Sequence, residues 1–136
     1  MEDHPMPSVH GILETSIYVD DLERSLRFYQ SIFGFKLIDS SERLCALAVS
    51  GRQVLLLFKK GASAKLGLGA HDGDGTLHLA FAVPVAELAT WGAWLEQHDV
   101  PIEHRRVWER GGHSLYFRDP DQHLIELATP GVWSIY

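Results

Sequence analysis

Glu14, His78 and Glu126 are the three residues whose types and positions could together hold a divalent metal ion. Glu14 and His78 lie 64 residues apart, at equivalent positions of two segments that share one pattern, a short strand leading directly into a helix. Glu126 lies among apolar residues, where a buried carboxylate needs a partner. Two carboxylates and an imidazole favour a hard or borderline cation such as Mn²⁺, Fe²⁺, Ni²⁺, Zn²⁺ or Mg²⁺. The three residues therefore predict one divalent-metal site.

Each of the three residues also has a simpler interpretation. His78 could be a hydrogen-bonded histidine of a core or cleft, and Glu14 could lie on a solvated strand face. Glu126 could pair with an arginine such as Arg106 or Arg118. The matched positions of Glu14 and His78 favour the metal site, because unrelated residues rarely fall at equivalent places by accident.

Both repeated segments begin with a predicted strand that has two different faces. Residues 13–19 and 77–83 alternate with a period of two, which is typical of a half-buried strand. Glu14 therefore shares a face with Ser16 and Tyr18. His78 shares a face with two small residues that leave room above the sheet for a ligand, Ala80 and Ala82.

A helix is predicted after each strand. Residues 22–33 carry an apolar stripe, with the capping types Asp20 and Asp21 before it and Gly34 after it. Pro84 is a suitable first residue for the second helix, whose stripe is Leu88, Trp91 and Leu95.

Three strand-like runs follow each predicted helix, so each half of the chain has the pattern βαβββ. The runs cover residues 35–38, 44–49 and 54–59, then 102–107, 114–118 and 123–129. A half of roughly 60 residues would be marginal alone, so we expect both halves to share one sheet or barrel. The prediction is a single domain over residues 1–136, with modules at about 10–60 and 76–130 and a Gly-rich linker or mobile loop at about 61–75.

The composition excludes several classes of protein. The 136 residues contain 12 Lys and Arg against 18 Asp and Glu, and the net charge of -6 repels nucleic acids and anionic membranes. No apolar stretch approaches the roughly 20 residues of a membrane helix, and residues 1–11 lack the apolar run of a signal peptide. The single Cys45 cannot form an internal disulfide. We therefore expect a soluble, cytoplasmic protein without nucleic-acid or membrane partners.

The other histidines give weaker signals. His71 in the linker and His113 beside a glycine pair could reach a site from their loops, or could simply be solvated. Four further histidines are assigned no role: His4, His10, His98 and His104.

Three segments of the chain match a known pattern: ETSIYVDDLERSLRFYQSIFGFKL (residues 14–37), GTLHLAFAV (75–83) and SLYFRDPDQHLIELATP (114–130). With them the chain resembles, over nearly its whole length, the vicinal oxygen chelate superfamily. That superfamily includes glyoxalase I, fosfomycin resistance proteins, extradiol dioxygenases and bleomycin resistance proteins. The resemblance implies an α+β fold in which two βαβββ modules form an open, curved mixed sheet.

The resemblance also implies which residues bind the metal. In the family these lie on the first and last strands of the modules, and the matching positions are Glu14, His78 and Glu126. The commonest first ligand is His, so Glu14 sets this chain apart from the two-His, one-carboxylate set of extradiol dioxygenases. Glyoxalase I contributes a fourth ligand, a Glu, where residues 54–58 of this chain are all apolar.

A substrate pocket is expected beside the metal. Its predicted residues, three of which match polar positions of the fosfomycin enzymes, are Ser16, Arg106, Trp108 and Ser114. Glu126 is a candidate catalytic residue because a carboxylate that exchanges between metal and proton can act as a base. Tyr116 is the second candidate, on the strand before that of Glu126.

These residues predict a divalent-metal-dependent enzyme that chelates a small oxygenated metabolite and activates it as a Lewis acid, in lyase, isomerase or oxygenase chemistry. The alternative is a metal-free small-molecule-binding protein of the bleomycin-resistance type. Many members of the superfamily are homodimers, so a homodimer is expected, and an apolar edge at residues 55–58 could pair across its interface.

Overall fold

A computed structural model describes residues 4–136, which fold into two α-helices and eight strands. In chain order the elements are β1 (Glu14–Val19), α1 (Leu22–Phe33), β2 (Lys36–Ser40), β3 (Leu44–Val49), β4 (Gln53–Lys59), β5 (His78–Ala82), α2 (Leu88–Gln97), β6 (His104–Val107), β7 (His113–Arg118) and β8 (Leu124–Ala128). The first three residues of the predicted domain lie outside the described part. Neither helix of residues 4–136 combines the length and the apolar character that a bilayer crossing requires.

The strands form two four-stranded sheets, one from each half of the chain. Their orders are β1-β4-β3-β2 and β5-β8-β7-β6, so one arrangement occurs twice. The first and last strands of each half pair in parallel, and the other neighbours pair antiparallel. The predicted α+β fold of two βαβββ modules is confirmed. Each module contributes an open, mixed sheet of its own, so the two halves do not share the single sheet that the sequence predicts.

The position of β4 corrects one prediction. The apolar run at residues 55–58 was expected to form an edge, but β4 pairs with β1 on one side and with β3 on the other. A run that is apolar at every position is typical of such a central strand. The exposed edges of the two sheets belong to β1, β2, β5 and β6.

The first helix begins and ends where the sequence predicts. The Asp21 side chain accepts a hydrogen bond from the backbone N–H of Arg24 at 3.1 Å, which caps the helix. Gly34 ends it in the left-handed conformation at φ 68°, which glycine adopts without steric cost. An ion pair between Glu23 and Arg27 at 3.3 Å links successive turns on its surface.

The second helix begins later than its Pro84 suggests. Pro84 is extended, at φ -66° and ψ 143°, and a single 3-10 turn, Val85–Glu87, separates it from α2. The strand after α2 is also shorter than predicted, because β6 begins at His104 rather than at residue 102.

One apolar core lies between the two modules. The rings of Phe33 on α1 and Phe35 before β2 lie 4.7 Å and 5.4 Å from the ring of Phe81 on β5. Inward-facing residues of both sheets and both helices share this core, among them Ile17, Val19, Tyr29, Leu55, Leu57, Leu95, Leu115, Phe117, Ile125 and Leu127. The two sheets therefore turn one face each toward the same interior.

The candidate ligands lie on the opposite faces of the two sheets. Side chains alternate along a strand, so Glu14 points away from the core that buries Ile17. His78 and Glu126 likewise alternate with core residues on β5 and β8. The first sheet therefore presents Glu14 outward on its own side, and the second sheet presents His78 and Glu126 outward on the other.

A buried polar network ties the second module to the first. Tyr29 of α1 donates a 2.7 Å hydrogen bond to Asp119, which also accepts the backbone N–H of His123. The imidazole of His123 is fully buried and accepts the N–H of Leu77 at Nδ1. Its Nε2 therefore carries the proton that reaches the carbonyl oxygen of Tyr18 at 2.7 Å. The turn before β8 thus fixes how the modules pack.

Removal of the Tyr29 hydroxyl tests this network. Tyr29→Phe leaves a buried oxygen of Asp119 without its donor, so we expect the free energy of unfolding to fall by about 1–3 kcal/mol. The measurement is equilibrium unfolding in urea. Tyr136→Phe is the matched control, because that hydroxyl is 3.5 Å from the carbonyl oxygen of Val83 and its loss should cost less than about 0.5 kcal/mol. Equal losses for the two variants would contradict the role of the network.

The linker between the modules packs against the first sheet. The Nδ1 atom of His71 lies 2.7 Å from the hydroxyl of Tyr18, and the backbone of Gly61 donates to Asp72. Gly73 lies so close to the Tyr18 ring that a Cβ there would be 2.4 Å from a ring carbon. The predicted linker is therefore held in place by specific contacts, and His71 belongs to the first module.

Candidate metal centre

The register of three strands brings His78, Glu126, Ser114 and Tyr116 together on one face of the second sheet. Glu126 on β8 lies opposite Ala80 on one side and opposite Tyr116 on the other. His78 and Ser114 are its diagonal neighbours on β5 and β7, two residues from those positions. Diagonal neighbours are within reach of long side chains. Ala80, opposite Glu126 on β5, is exposed.

His78 directs its Nε2 atom toward Glu126. Its Nδ1 lies 2.9 Å from the carbonyl oxygen of Leu124 and must donate to it, because a carbonyl only accepts. Its Nε2 lies 3.1 Å from Oε1 of Glu126. In a neutral imidazole this Nε2 carries a lone pair that faces a carboxylate oxygen. Either a second proton on the ring or a cation shared by both atoms satisfies this arrangement.

The pair has the features of two neighbouring metal ligands. Ligand atoms bound to one divalent ion at about 2.1 Å and at right angles lie about 3 Å apart, close to the observed separation. A ligating histidine usually donates its other N–H to a carbonyl or carboxylate, as His78 does to Leu124. The donor set therefore fits a divalent cation.

Glu126 is buried, and its partners are not arginines. It is 6% exposed and accepts a hydrogen bond from the Ser114 hydroxyl at 2.6 Å on Oε2. Arg118 pairs instead with Glu103 at 2.7 Å. Arg106 lies over the ring of Trp108 at 3.6 Å from its centroid. The interpretation of Glu126 as half of an arginine ion pair is therefore not supported.

The predicted pocket residues Ser114 and Trp108 are hydrogen-bonded to each other. Ser114 is 1% exposed and accepts the indole N–H of Trp108 at 2.9 Å. Its hydroxyl is thus engaged on both sides, by Trp108 and by Glu126. Trp108 is half-buried, and Arg106 is exposed at the rim. Of these predicted pocket residues, Arg106 is the one whose polar atoms are open to a ligand.

Tyr116 keeps its proton beside the carboxylate. Burial and the charge of Glu126 raise the pKa of Tyr116 above its ordinary value of 10.0, because both disfavour a second negative charge at this place. At neutral pH its hydroxyl can therefore donate a proton or a hydrogen bond, but it is not a base. The predicted catalytic pair thus consists of a carboxylate, Glu126, and a protonated phenol.

Glu14 and Ser16 lie on the first sheet, apart from His78 and Glu126 on the second. Both belong to β1 of the first sheet, where Glu14 is exposed and Ser16 is half-buried. Within residues 4–136 no three His, Cys, Asp or Glu side chains are grouped so that they could hold a metal ion. One chain therefore brings together two of the three predicted ligands, His78 and Glu126.

Residues 11–127 match the family described as the Glyoxalase/Bleomycin resistance protein/Dioxygenase superfamily. The chain belongs to this superfamily. The glyoxalase-superfamily fold is also that of a crystal structure of lactoylglutathione lyase from Agrobacterium tumefaciens, which is 30% identical with a TM-score of 0.88. That likeness covers 94% of this chain and 99% of the other.

Curated relatives in the superfamily carry different names. A catechol-2,3-dioxygenase of Bacillus subtilis is 32% identical over 130 residues, which cover 90% of this chain and 43% of that protein. This chain thus spans less than half the length of that relative. The metallothiol transferase FosB of Staphylococcus saprophyticus is 27% identical over 122 residues, 89% of this chain and 78% of its own. The family is shared, while the names of its members describe different reactions.

Two side-chain contacts were missed from sequence. His123 precedes β8 in a segment of the resemblance, but a buried imidazole between two modules is a long-range contact without a local signal. The contact between Trp108 and Ser114 joins residues on either side of a glycine pair. Their spacing of six residues could have indicated a hairpin contact.

Proposed function

We propose that this protein is a divalent-metal-dependent enzyme that binds a small oxygenated metabolite through two adjacent oxygens. The observation that carries the proposal is the pair of His78 Nε2 and Glu126 Oε1, 3.1 Å apart with His78 Nδ1 engaged by a carbonyl. When bound, the ion supplies Lewis-acid stabilisation of negative charge that develops on the substrate oxygens. The metal-dependent lyases, isomerases and oxygenases are the reaction classes that use such stabilisation.

We propose that the third ligand is Glu14 of a second copy of the chain. Glu14 and His78 both lie on edge strands, β1 and β5, and the core faces of the two sheets are turned toward each other within one chain. Glu14 therefore cannot approach His78 of its own chain without breaking that core. Ile12 and Leu13 beside it are 79% and 66% exposed, and exposed apolar side chains next to a sheet edge favour a protein partner.

Arg106 at the rim of the site supports a substrate that carries an anionic group. Within residues 4–136 no carboxylate forms an ion pair with Arg106, and the indole of Trp108 holds its guanidinium in place. An arginine that is fixed and unpaired binds carboxylate or phosphate oxygens in a bidentate manner. Tyr116, which keeps its proton, would donate a hydrogen bond or a proton to the chelated oxygens on the same face.

Binding of a small chelator distinguishes an enzyme of this kind from a metal-free binding protein. Acetohydroxamate offers two adjacent oxygens, and calorimetry should detect its binding to protein loaded with Mn²⁺. Chelator-treated protein should bind it at least about tenfold more weakly, because the chelated oxygens lose the cation. Equal binding by the two preparations, or protein that takes up none of Mn²⁺, Fe²⁺, Ni²⁺ and Zn²⁺, would contradict the proposal and favour metal-free ligand binding.

A further inference from the structure

The two carboxylate oxygens of Glu126 have different surroundings. Oε1 faces Nε2 of His78 at the open side of the site, where the His78 side chain is 50% exposed. Oε2 lies on the inner side and accepts the hydroxyl of Ser114 at 2.6 Å. This distance is typical of a hydrogen bond from a hydroxyl to an ionised carboxylate. The carboxylate is thus hydrogen-bonded to Ser114 at one oxygen and faces His78 with the other.

The direction of the hydrogen bonds is fixed by Trp108. An indole N–H can only donate, so the contact of 2.9 Å makes Ser114 Oγ the acceptor. The single hydroxyl proton of Ser114 is then left to point at Oε2 of Glu126. The three side chains therefore form a chain of donors that runs in one direction, from Trp108 through Ser114 to Glu126.

Ser114 and Trp108, the two donors in this chain of hydrogen bonds, are both held in place. Ser114 is 1% exposed on β7, between neighbours on β6 and β8. The Trp108 ring is covered by the guanidinium of Arg106 at 3.6 Å, a cation–π contact that restricts its orientation. The backbone of Trp108 is fixed as well, because its N–H donates to the carbonyl of Gly112 at 2.8 Å. Trp108 thus lies between Arg106 at the rim and the buried hydroxyl.

We propose that Trp108 and Ser114 are positioning residues that hold Glu126 so that it binds the cation through Oε1 alone. This inference rests on the proposed metal-dependent function. Because Oε2 is engaged by Ser114, rotation of the carboxylate to a bidentate mode would break the 2.6 Å hydrogen bond. Ligating carboxylates are commonly fixed by such outer partners, whose loss weakens metal binding about 10–100-fold.

The first test measures metal affinity in variants of the two positioning residues. Trp108→Phe replaces the indole with a phenyl ring, which can still stack with Arg106 but has no N–H, and Ser114→Ala removes the hydroxyl. Each should raise the Kd for Mn²⁺ about 10–100-fold in calorimetry. Trp133→Phe is the matched control, since Trp133 is 69% exposed and outside the site, and its Kd should equal that of the wild type. Circular dichroism and thermal unfolding establish that each variant is folded.

The second test reports the binding mode of the carboxylate directly. Infrared difference spectra on addition of Mn²⁺ should show the widely separated carboxylate stretches of a monodentate ligand in the wild type. Ser114→Ala should show the closer pair of stretches of a bidentate ligand, and Glu126→Gln should lack the signal. If Ser114→Ala does not fold, the infrared measurement is made on Trp108→Phe instead.

The outcomes separate the two proposals. If the wild type binds Mn²⁺ and both variants match it in affinity and in the infrared signal, the positioning role is overturned while the metal-dependent function stands. If the wild type binds no divalent ion, the proposed function fails and the positioning role fails with it. Weaker binding together with a bidentate signal in the variants supports both.

Discussion

Replacing His78 with alanine is expected to abolish stoichiometric binding of a divalent metal while the protein stays folded. His78 is half exposed at the start of β5, and its polar contacts are Nδ1 to the Leu124 carbonyl and Nε2 to Glu126. Its loss leaves Glu126 still bonded to Ser114, so the cost in stability should be small. Loss of a direct ligand should reduce metal affinity by more than the about 100-fold upper limit for an outer partner.

Elemental analysis of purified protein, followed by titration with Mn²⁺ and Zn²⁺, measures this effect. His104→Ala is the matched control, because His104 is an exposed histidine on β6 of the same sheet and does not contact Glu126. Wild type and His104→Ala should bind about one ion per chain, while His78→Ala and Glu126→Gln should bind none at micromolar metal.

Unchanged metal content in His78→Ala would mean that His78 and Glu126 are not metal ligands. If a proton rather than a cation joins His78 and Glu126, the metal content of His78→Ala will equal that of the wild type. The 3.1 Å contact would then be an ordinary ion pair of a protonated histidine. That outcome would leave the open face of the second sheet as a metal-free ligand site.

The alternation of residues along single strands located much of the site from sequence. A period of two placed His78, Ala80 and Ala82 on one face of β5, and the structure has the same face exposed. The same reasoning placed Glu126 on β8 among apolar residues, where it is 6% exposed. These are local properties of the backbone, so they can be inferred without knowledge of how the modules pack.

The packing of the modules could not be inferred in this way. Glu14 and His78 occupy equivalent strand positions, which predicted that they converge, but both sheets turn their inner faces to one shared core. The direction in which one sheet faces the other depends on contacts such as those of Asp119 and His123 with the first module. Such contacts join residues about a hundred positions apart, and no periodicity within a segment encodes them.

Buried polar contacts were the second limit. Ser114 was predicted to line a substrate pocket because it matches a polar position of the fosfomycin enzymes, and Trp108 because it lies near a glycine pair. In the structure Ser114 is enclosed, with its hydroxyl between Trp108 and Glu126. Whether a serine on a strand faces a ligand or a buried carboxylate depends on the side chain across the sheet. That pairing follows from the strand register, which the sequence left undetermined.

Two variants that each fail to bind metal are expected to restore binding to each other when mixed. If the ion is held by Glu14 of one copy with His78 and Glu126 of another, Glu14→Ala and His78→Ala both damage every site of their own homodimer. A mixed dimer has one site with both substitutions and one site with neither. Random exchange of subunits should therefore restore about a quarter of all sites.

The experiment is a metal titration after the two variants are mixed, unfolded together and refolded, with sedimentation to establish the dimer. The Glu14 side chain is exposed on an edge strand, so Glu14→Ala should not affect folding. A mixture of His78→Ala with Glu126→Gln is the control, because both ligands come from the same sheet of one copy. That mixture should regain nothing, since neither site of its mixed dimer contains His78 and Glu126 together.

The alternative sources of the third ligand predict different amounts of bound metal. If one chain supplied all three ligands, the mixture of Glu14→Ala and His78→Ala would stay as empty as its components. If Glu14 were not a ligand, Glu14→Ala would bind about one ion per chain before mixing. If the edge of β1 in one copy lies against β5 of another, about a quarter of the sites should be recovered in the mixture of Glu14→Ala with His78→Ala, and none in the control mixture. The exposed Ile12 and Leu13 beside Glu14 would be buried in that arrangement, so their substitution by serine should weaken the dimer and its metal binding together.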